Sequence, residues 1–198
     1  SLFSVEKAFQ QNGLSLFDVE QIPTHGGSLR IWAKHREDPG PIDLRLGRLR
    51  AVEKAAGLHE ISAYRGFQKQ AEKTKNQLLI FLRKERANNK RIAAYGAPAK
   101  GNTLLNYCGI TTDLIGYTVD RNPYKQGCLL PGTHIPVFST EKIAETKPDY
   151  LLILPWNLKQ EILRETAFIE KWGGKHIVPI PEVEIISPKQ HEILKNVA

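Results

Sequence analysis

Residues 91–106 read RIAAYGAPAKGNTLLN, and the fold class follows from how this stretch is parsed. Ile92, Ala93, Ala94 and Tyr95 form a short apolar run suited to a buried parallel strand. Gly96 ends the run. Pro98 stands where a first helical turn would begin, a position where its missing N–H costs nothing. A helix is expected next, with Leu104 and Leu105 as core candidates, and Gly109 falls just past its end, as a C′ residue should. Strand, glycine turn and helix N-terminus together present backbone N–H groups to an anion. Gly96, Ala97, Pro98, Lys100, Gly101, Asn102 and Thr103 are therefore candidate substrate-binding residues.

The two common phosphate loops are each approached and neither is matched. A dinucleotide loop reads G-x-G-x-x-G, and here Pro98 stands for the middle glycine. A Walker A loop reads G-x-x-x-x-G-K-[ST]; Gly96, Gly101 and Thr103 fit, but Asn102 replaces the lysine and Lys100 comes early. Spacing alone leaves two readings open, a ligand loop or a packing turn. Under the ligand reading, a valine at Gly101 would block ligand approach and leave the fold largely intact.

Downstream, strand and helix patterns alternate. Residues 115–119 read as a second strand ending in Asp120, and residues 136–138 as a third, with Ser139 capping the helix after it. Residues 150–154 are the clearest buried strand. Asn157 is expected to cap the next helix, with Gln160 in the capping-box position. Leu158, Ile162 and Ile169 give that helix its inner face. Gly173 and Gly174 close it, and residues 176–180 form the last main strand. Such alternation implies an α/β domain, a Rossmann-like parallel sheet with helices on both faces. Its ligand crevice should lie beyond the carboxyl ends of the strands. Asp120, 24 positions after Gly96, stands where dinucleotide folds place a ribose acceptor; it could equally cap the turn at Asn122 and Pro123. Lys125 follows in a loop that could bring a cation to a phosphate. Trp156 is read either as partly buried or as a stacking surface.

Upstream, residues 1–38 read as a helix and a hairpin. Val5, Phe9 and Leu14 line the helix face, Gly13 ends it, and strands at 16–22 and 28–33 flank a turn at Thr24, His25, Gly26 and Gly27. This piece cannot bury a core alone. Pro39, Gly40 and Pro41 link it to two helices, residues 43–56 and about 62–87. The second carries Tyr64, Phe67, Ala71, Leu78 and Leu82 at helical spacing. The expected division is 1–38, 39–91 as a helical connector, and 92–198.

The net charge of +7 sits in the connector. Residues 39–91 carry 13 basic and 5 acidic side chains, against 4 and 5 in 1–38 and 11 of each in 92–198. A uniformly basic surface is thus excluded. A charged outer helix face accounts for the excess, and no nucleic-acid motif accompanies it. There is no long apolar run or signal-peptide pattern, so no membrane partner is expected. Cys108 and Cys128 lack metal-ligand spacing and are expected to be reduced thiols in a cytoplasmic protein. No metal site is expected. The chain has no methionine, even at position 1, as expected of a partial or processed chain that begins in mid-fold.

Several separate motifs, in order, carry a resemblance: THGGSLRIW, GAPAKGNTLLN, VDRNPYKQG, PGTHIPV, ILPWN and GGKHIVPIPEVEII. Together they resemble the C-terminal domain of the three-domain S-adenosylmethionine-dependent C-methyltransferases, over nearly the whole chain. The resemblance implies an enzyme that methylates a carbon of a nucleotide-linked sugar or related substrate. It also implies that residues 1–38 end the methyl-donor domain, that upstream domains of the same polypeptide are partners, and that the isolated chain is inactive. The acidic glycine-rich loop expected for S-adenosylmethionine is absent, so the donor site is expected mostly outside this chain. His25, within HGGS, is then a candidate substrate-facing residue; it is otherwise a polar turn residue. No catalytic residue is assigned. Two other readings stay open, a nucleotide-binding Rossmann-like module without chemistry and a structural cover domain.

Overall fold

A computed structural model describes residues 1–186. The described residues form two compact units, divided between Gln70 and Ala71.

In the first unit, α1 (Leu2–Gln11) leads into the antiparallel pair β1 (Leu14–Ile22) and β2 (Ser28–His35), followed by α2 (Leu44–Ala55) and α3 (Ile61–Arg65). A bulge between Leu16 and Asp18 shifts the register, so that Leu16 and Val19 both join the core with Leu2, Leu46 and Leu49. Val5 and Phe9 pack against that core, as the helical spacing predicts. Asp43 caps α2 by accepting from the Arg45 N–H at 2.8 Å. The buried Glu53 carboxylate of α2 accepts from the N–H groups of Leu2 and Phe3 at 2.5 and 2.9 Å. It thereby fills donors that the first turn of α1 leaves open and places an anion at the positive end of that helix.

The expected single helix over 62–87 is instead two. Gly66 separates α3 from α4 (Phe67–Ala87), and Tyr64 and Phe67 are exposed. The buried stripe of α4 is Thr74, Leu78, Leu79 and Leu82. Tyr64 and Phe67 fit the helical period numerically, but the period does not say that a glycine will break the rod.

In the second unit, β3 (Ile92–Tyr95), β4 (Thr118–Val119), β5 (Val137–Phe138), β6 (Tyr150–Ile153), β7 (Lys175–Val178) and β8 (Glu184–Ile186) form one sheet in the order β5-β4-β3-β6-β7-β8. The first five are parallel; β8 pairs with β7 antiparallel, a strand that the alternation did not predict. Counted from β3, the order is 3-2-1-4-5-6, that of doubly wound mononucleotide-binding sheets. Period-two alternation sends Ile92, Ala94, Leu152 and Ile177 to one core with Leu78 and Leu82 of α4 and Leu105 of α5 (Ala99–Cys108). Ala93, Tyr95, Leu151, Ile153 and Val178 go to a second core with Ile143 of α6 (Lys142–Thr146) and Ile162 and Leu163 of α7 (Lys159–Glu165). Strands buried on both faces explain why these runs are uniformly apolar.

Two predicted caps are absent. The N-cap of α6 is Glu141, not Ser139, and α7 starts from Leu158 with no side-chain cap after a 3-10 turn over Trp156–Leu158. The second strand is also shorter than 115–119, although Gly116 and Tyr117 still exchange backbone hydrogen bonds with Ile92 and Ala94 of β3.

Candidate functional site

The strand order reverses between β3 and β6, so the crevice of this sheet lies beyond their carboxyl ends. The loops that follow these two strands are the glycine turn and residues 154–158. Gly96 has φ of +88°, and a Cβ there would lie 2.5 Å from Pro155 Cγ. Both the backbone conformation and the close approach of the two loops require glycine. Pro98 takes the N-cap of α5 and gives it no side-chain acceptor. The first-turn N–H groups of α5 therefore point into the crevice region without an intrahelical acceptor.

Lys100 is held across this gap. Its ammonium donates to the Asn157 side-chain oxygen and lies 4.7 Å from the Trp156 ring centroid. No carboxylate is among its partners in the described residues. Loss of hydration holds its pKa below the ordinary lysine value. Asn157 is thus a partner of Lys100 rather than the expected helix cap, and Trp156 supplies a π face to the cation.

Asp120 is committed to the loop. Its Oδ2 accepts from the Ala97 N–H at 2.7 Å and from Lys125 Nζ at 3.2 Å, and its Oδ1 accepts from the Asn122 N–H at 2.9 Å. Lys125 also donates to the Ala97 carbonyl at 3.0 Å. Both polar backbone atoms of Ala97 are therefore clasped by the segment after β4. Burial raises the Asp120 pKa, but the Asn122 and Ala97 N–H groups and Lys125 outweigh it, so the net value lies below the ordinary carboxylate range.

Gly101 is buried, and a Cβ there would meet Leu154 Cβ at 2.7 Å and Pro98 Cγ at 3.2 Å. Its lack of a side chain brings α5 onto the end of β6. A valine would push on this packing first, which corrects the expectation that the fold would be left largely intact. Thr103 donates back to the Ala99 carbonyl at 3.1 Å and faces solvent. The side-chain oxygen of Asn102 is buried without a partner. The structure thus brings together Gly96, Ala97, Pro98, Lys100, Asp120 and Lys125. His25 belongs to the first unit, in the hairpin turn, exposed with φ of +57°.

Beside the turn lies a hollow of about 200 Å³ lined by Tyr95, Gly96, Pro98, Asp120, Arg121, Lys125, Pro155, Leu158 and Ile162. Arg121 stands between Glu161 and Glu165, at 2.8 and 2.6 Å. The Tyr95 hydroxyl donates to Glu165 at 2.9 Å. Burial and Glu165 together push the Tyr95 pKa well above the ordinary tyrosine value, which keeps the phenol protonated. The sequence reading missed Asn157 as a lysine partner and Arg121 altogether, and it put Leu158 on the inner face of a helix, whereas Leu158 ends the 3-10 turn and is exposed. The signal available for Arg121 was its place directly after Asp120 at a strand end.

A doubly wound sheet with a glycine turn at its switch point is the α/β architecture of mononucleotide-binding sheets. The sequence comparison narrows this. The family described as C-methyltransferase C-terminal domain matches residues 23–181, and the chain belongs to it. The chain is 38% identical over 188 residues to the C-methyltransferase NovU of Streptomyces niveus, a match covering 94% of this chain and 44% of that protein. The chain thus spans less than half the length of that relative. Among the described residues no helix is long and apolar enough to cross a membrane.

Proposed function

We propose that this chain is the substrate-side part of an S-adenosylmethionine-dependent C-methyltransferase acting on a nucleotide-linked sugar, and that the turn over 96–103 with Lys100 receives the substrate's diphosphate. The observation that carries this reading is Lys100. A partly desolvated cation beside a helix N-terminus, whose partners among the described residues are an amide oxygen and an indole, gains more from an anion than a solvated surface lysine does. The activity of the relative and the description of the family support the reaction class.

The acidic glycine-rich loop expected for the methyl donor is absent from this sequence. The donor site is therefore assigned to upstream parts of the same polypeptide, for which α1 and the β1–β2 hairpin are the closing elements. The chain by itself methylates nothing in this reading. The surplus of lysine and arginine on α2 and α4 serves as solvated outer face rather than as a nucleic-acid or membrane surface.

Calorimetric titration of the chain with inorganic diphosphate and with thymidine 5′-diphosphate tests the site. Both are expected to bind, and Lys100→Ala should weaken both by about tenfold, the equivalent of roughly 1.4 kcal/mol. Undiminished binding by a folded Lys100→Ala would mean that the turn only packs. Titration with S-adenosylmethionine should give no saturable heat.

A further inference from the structure

The hollow beside the glycine turn differs chemically from the turn itself. Pro98, Pro155, Leu158, Ile162 and the Tyr95 ring make its walls apolar. The cations at its rim are already paired. Asp120 and Lys125 pair with each other, and Arg121 is matched by two carboxylates, Glu161 and Glu165. A phosphate entering there would meet no surplus cation and a nearby excess of carboxylate. Lys100 does not line the hollow and has no such anionic partner among the described residues. Charge therefore assigns the anion to the Lys100 side and an uncharged group to the hollow.

Its volume of about 200 Å³ is below the ~300–1,000 Å³ of a whole-ligand pocket, so it suits one part of a larger ligand. A guanidinium gripped by two carboxylates is fixed in orientation and offers a flat, weakly hydrated face. Such a face, in a hollow also lined by proline and leucine, suits a planar heterocycle. Gly96 and Pro98 belong both to the hollow and to the diphosphate turn, so the ring and the diphosphate would be neighbours in one molecule.

We propose that this hollow holds the base of a nucleoside 5′-diphosphate unit, with Arg121 as stacking platform and Leu158 as opposing wall. The inference rests on the diphosphate reading of Lys100 and adds the nucleoside end of the ligand. It gives Asp120 and Lys125 the work of positioning the turn through Ala97 rather than touching the ribose.

The test compares thymidine 5′-diphosphate with inorganic diphosphate on the 198-residue chain, as wild type, Leu158→Trp and Arg121→Ala. Leu158 is 41% exposed, so the larger ring can be accommodated without entering the core. The wild type should bind the nucleotide at least about tenfold more tightly than diphosphate, the scale of one stacked base. Leu158→Trp should fill the hollow and abolish that advantage while leaving diphosphate affinity unchanged, and Arg121→Ala should reduce it. Equal affinity of the wild type for the two ligands overturns the inference, as does an advantage that survives in both variants. In either case diphosphate binding leaves the Lys100 reading standing. Failure of the wild type to bind either ligand removes both.

Discussion

Gly101→Ala is the perturbation that most directly tests how the glycine turn is built. Gly101 lies in the first turn of α5 with ordinary helical backbone, so alanine by itself would favour the helix by about 1 kcal/mol. The new methyl would stand 2.7 Å from Leu154 Cβ and 3.3 Å from Leu154 Cγ. Carbon atoms prefer about 3.5–4.0 Å, so α5 must retreat from β6 by roughly 1 Å or Leu154 must leave its fully buried position. Overpacking of this kind costs about 1–3 kcal/mol. The net expectation is a destabilisation of up to about 2 kcal/mol, and more for valine, which adds two methyl groups and a β-branch. Gly47, in the middle of α2, is the control: a Cβ there meets nothing within 4 Å. Gly47→Ala should therefore stabilise its unit by about 0.5–1 kcal/mol. Urea titration with hydrogen exchange read on the β3 and β6 peptides, and separately on α2, resolves the two effects. If Gly101→Ala protects β6 as well as Gly47→Ala protects α2, then α5 is not pressed against Leu154 and the account of this glycine is wrong.

Other outcomes are expected. Asp120→Asn should destabilise the second unit by about 1–2 kcal/mol at neutral pH through loss of charge-assisted bonds to Ala97 and Lys125. Because the folded pKa of Asp120 lies below the ordinary 3.8, its contribution is complete above 3.8 and fades as pH falls through the folded value; wild type and variant should converge in acid, and a constant gap down to strongly acidic pH would count against this role. Thr166→Val should cost about 1–3 kcal/mol in a thermal or urea melt, since the Thr166 hydroxyl contacts the Nε2 of buried His176 at 2.7 Å; a neutral result would show that the ring is satisfied elsewhere. Thiol titration should count one fast-reacting group in the native chain, the exposed Cys128, and two after denaturation without reductant, when the buried Cys108 is released; a denatured count of zero would mean that the pair is oxidised. Glu53→Ala should loosen α1 by about 1–3 kcal/mol, read as faster exchange of the Leu2 and Phe3 amides, because both lose the carboxylate they donate to.

Residue order alone determined the parts whose cause is local. The apolar run 92–95, the glycine at 96 and the left-handed glycine at 109 are punctuation that any strand–turn–helix unit needs, and the described structure has them in those places. The hairpin and the end of the helix expected over 43–56 were legible for the same reason. The break at Gly66 was not read, because the pattern of Tyr64 and Phe67 continued across it. What the sequence could not decide depends on which strands become neighbours. Asn157 looks like a cap until β6 is placed beside β3, which brings Lys100 across to take its oxygen. Asp120 looks like a ligand acceptor until β4 is placed on the other side of β3, where the Ala97 N–H reaches its carboxylate first. Gly101 looks like an opening for a ligand until Leu154 fills the space. In each case the side chain's partner lies 23 to 57 positions away, and no local propensity carries information about a contact of that separation; only the strand order of the sheet does.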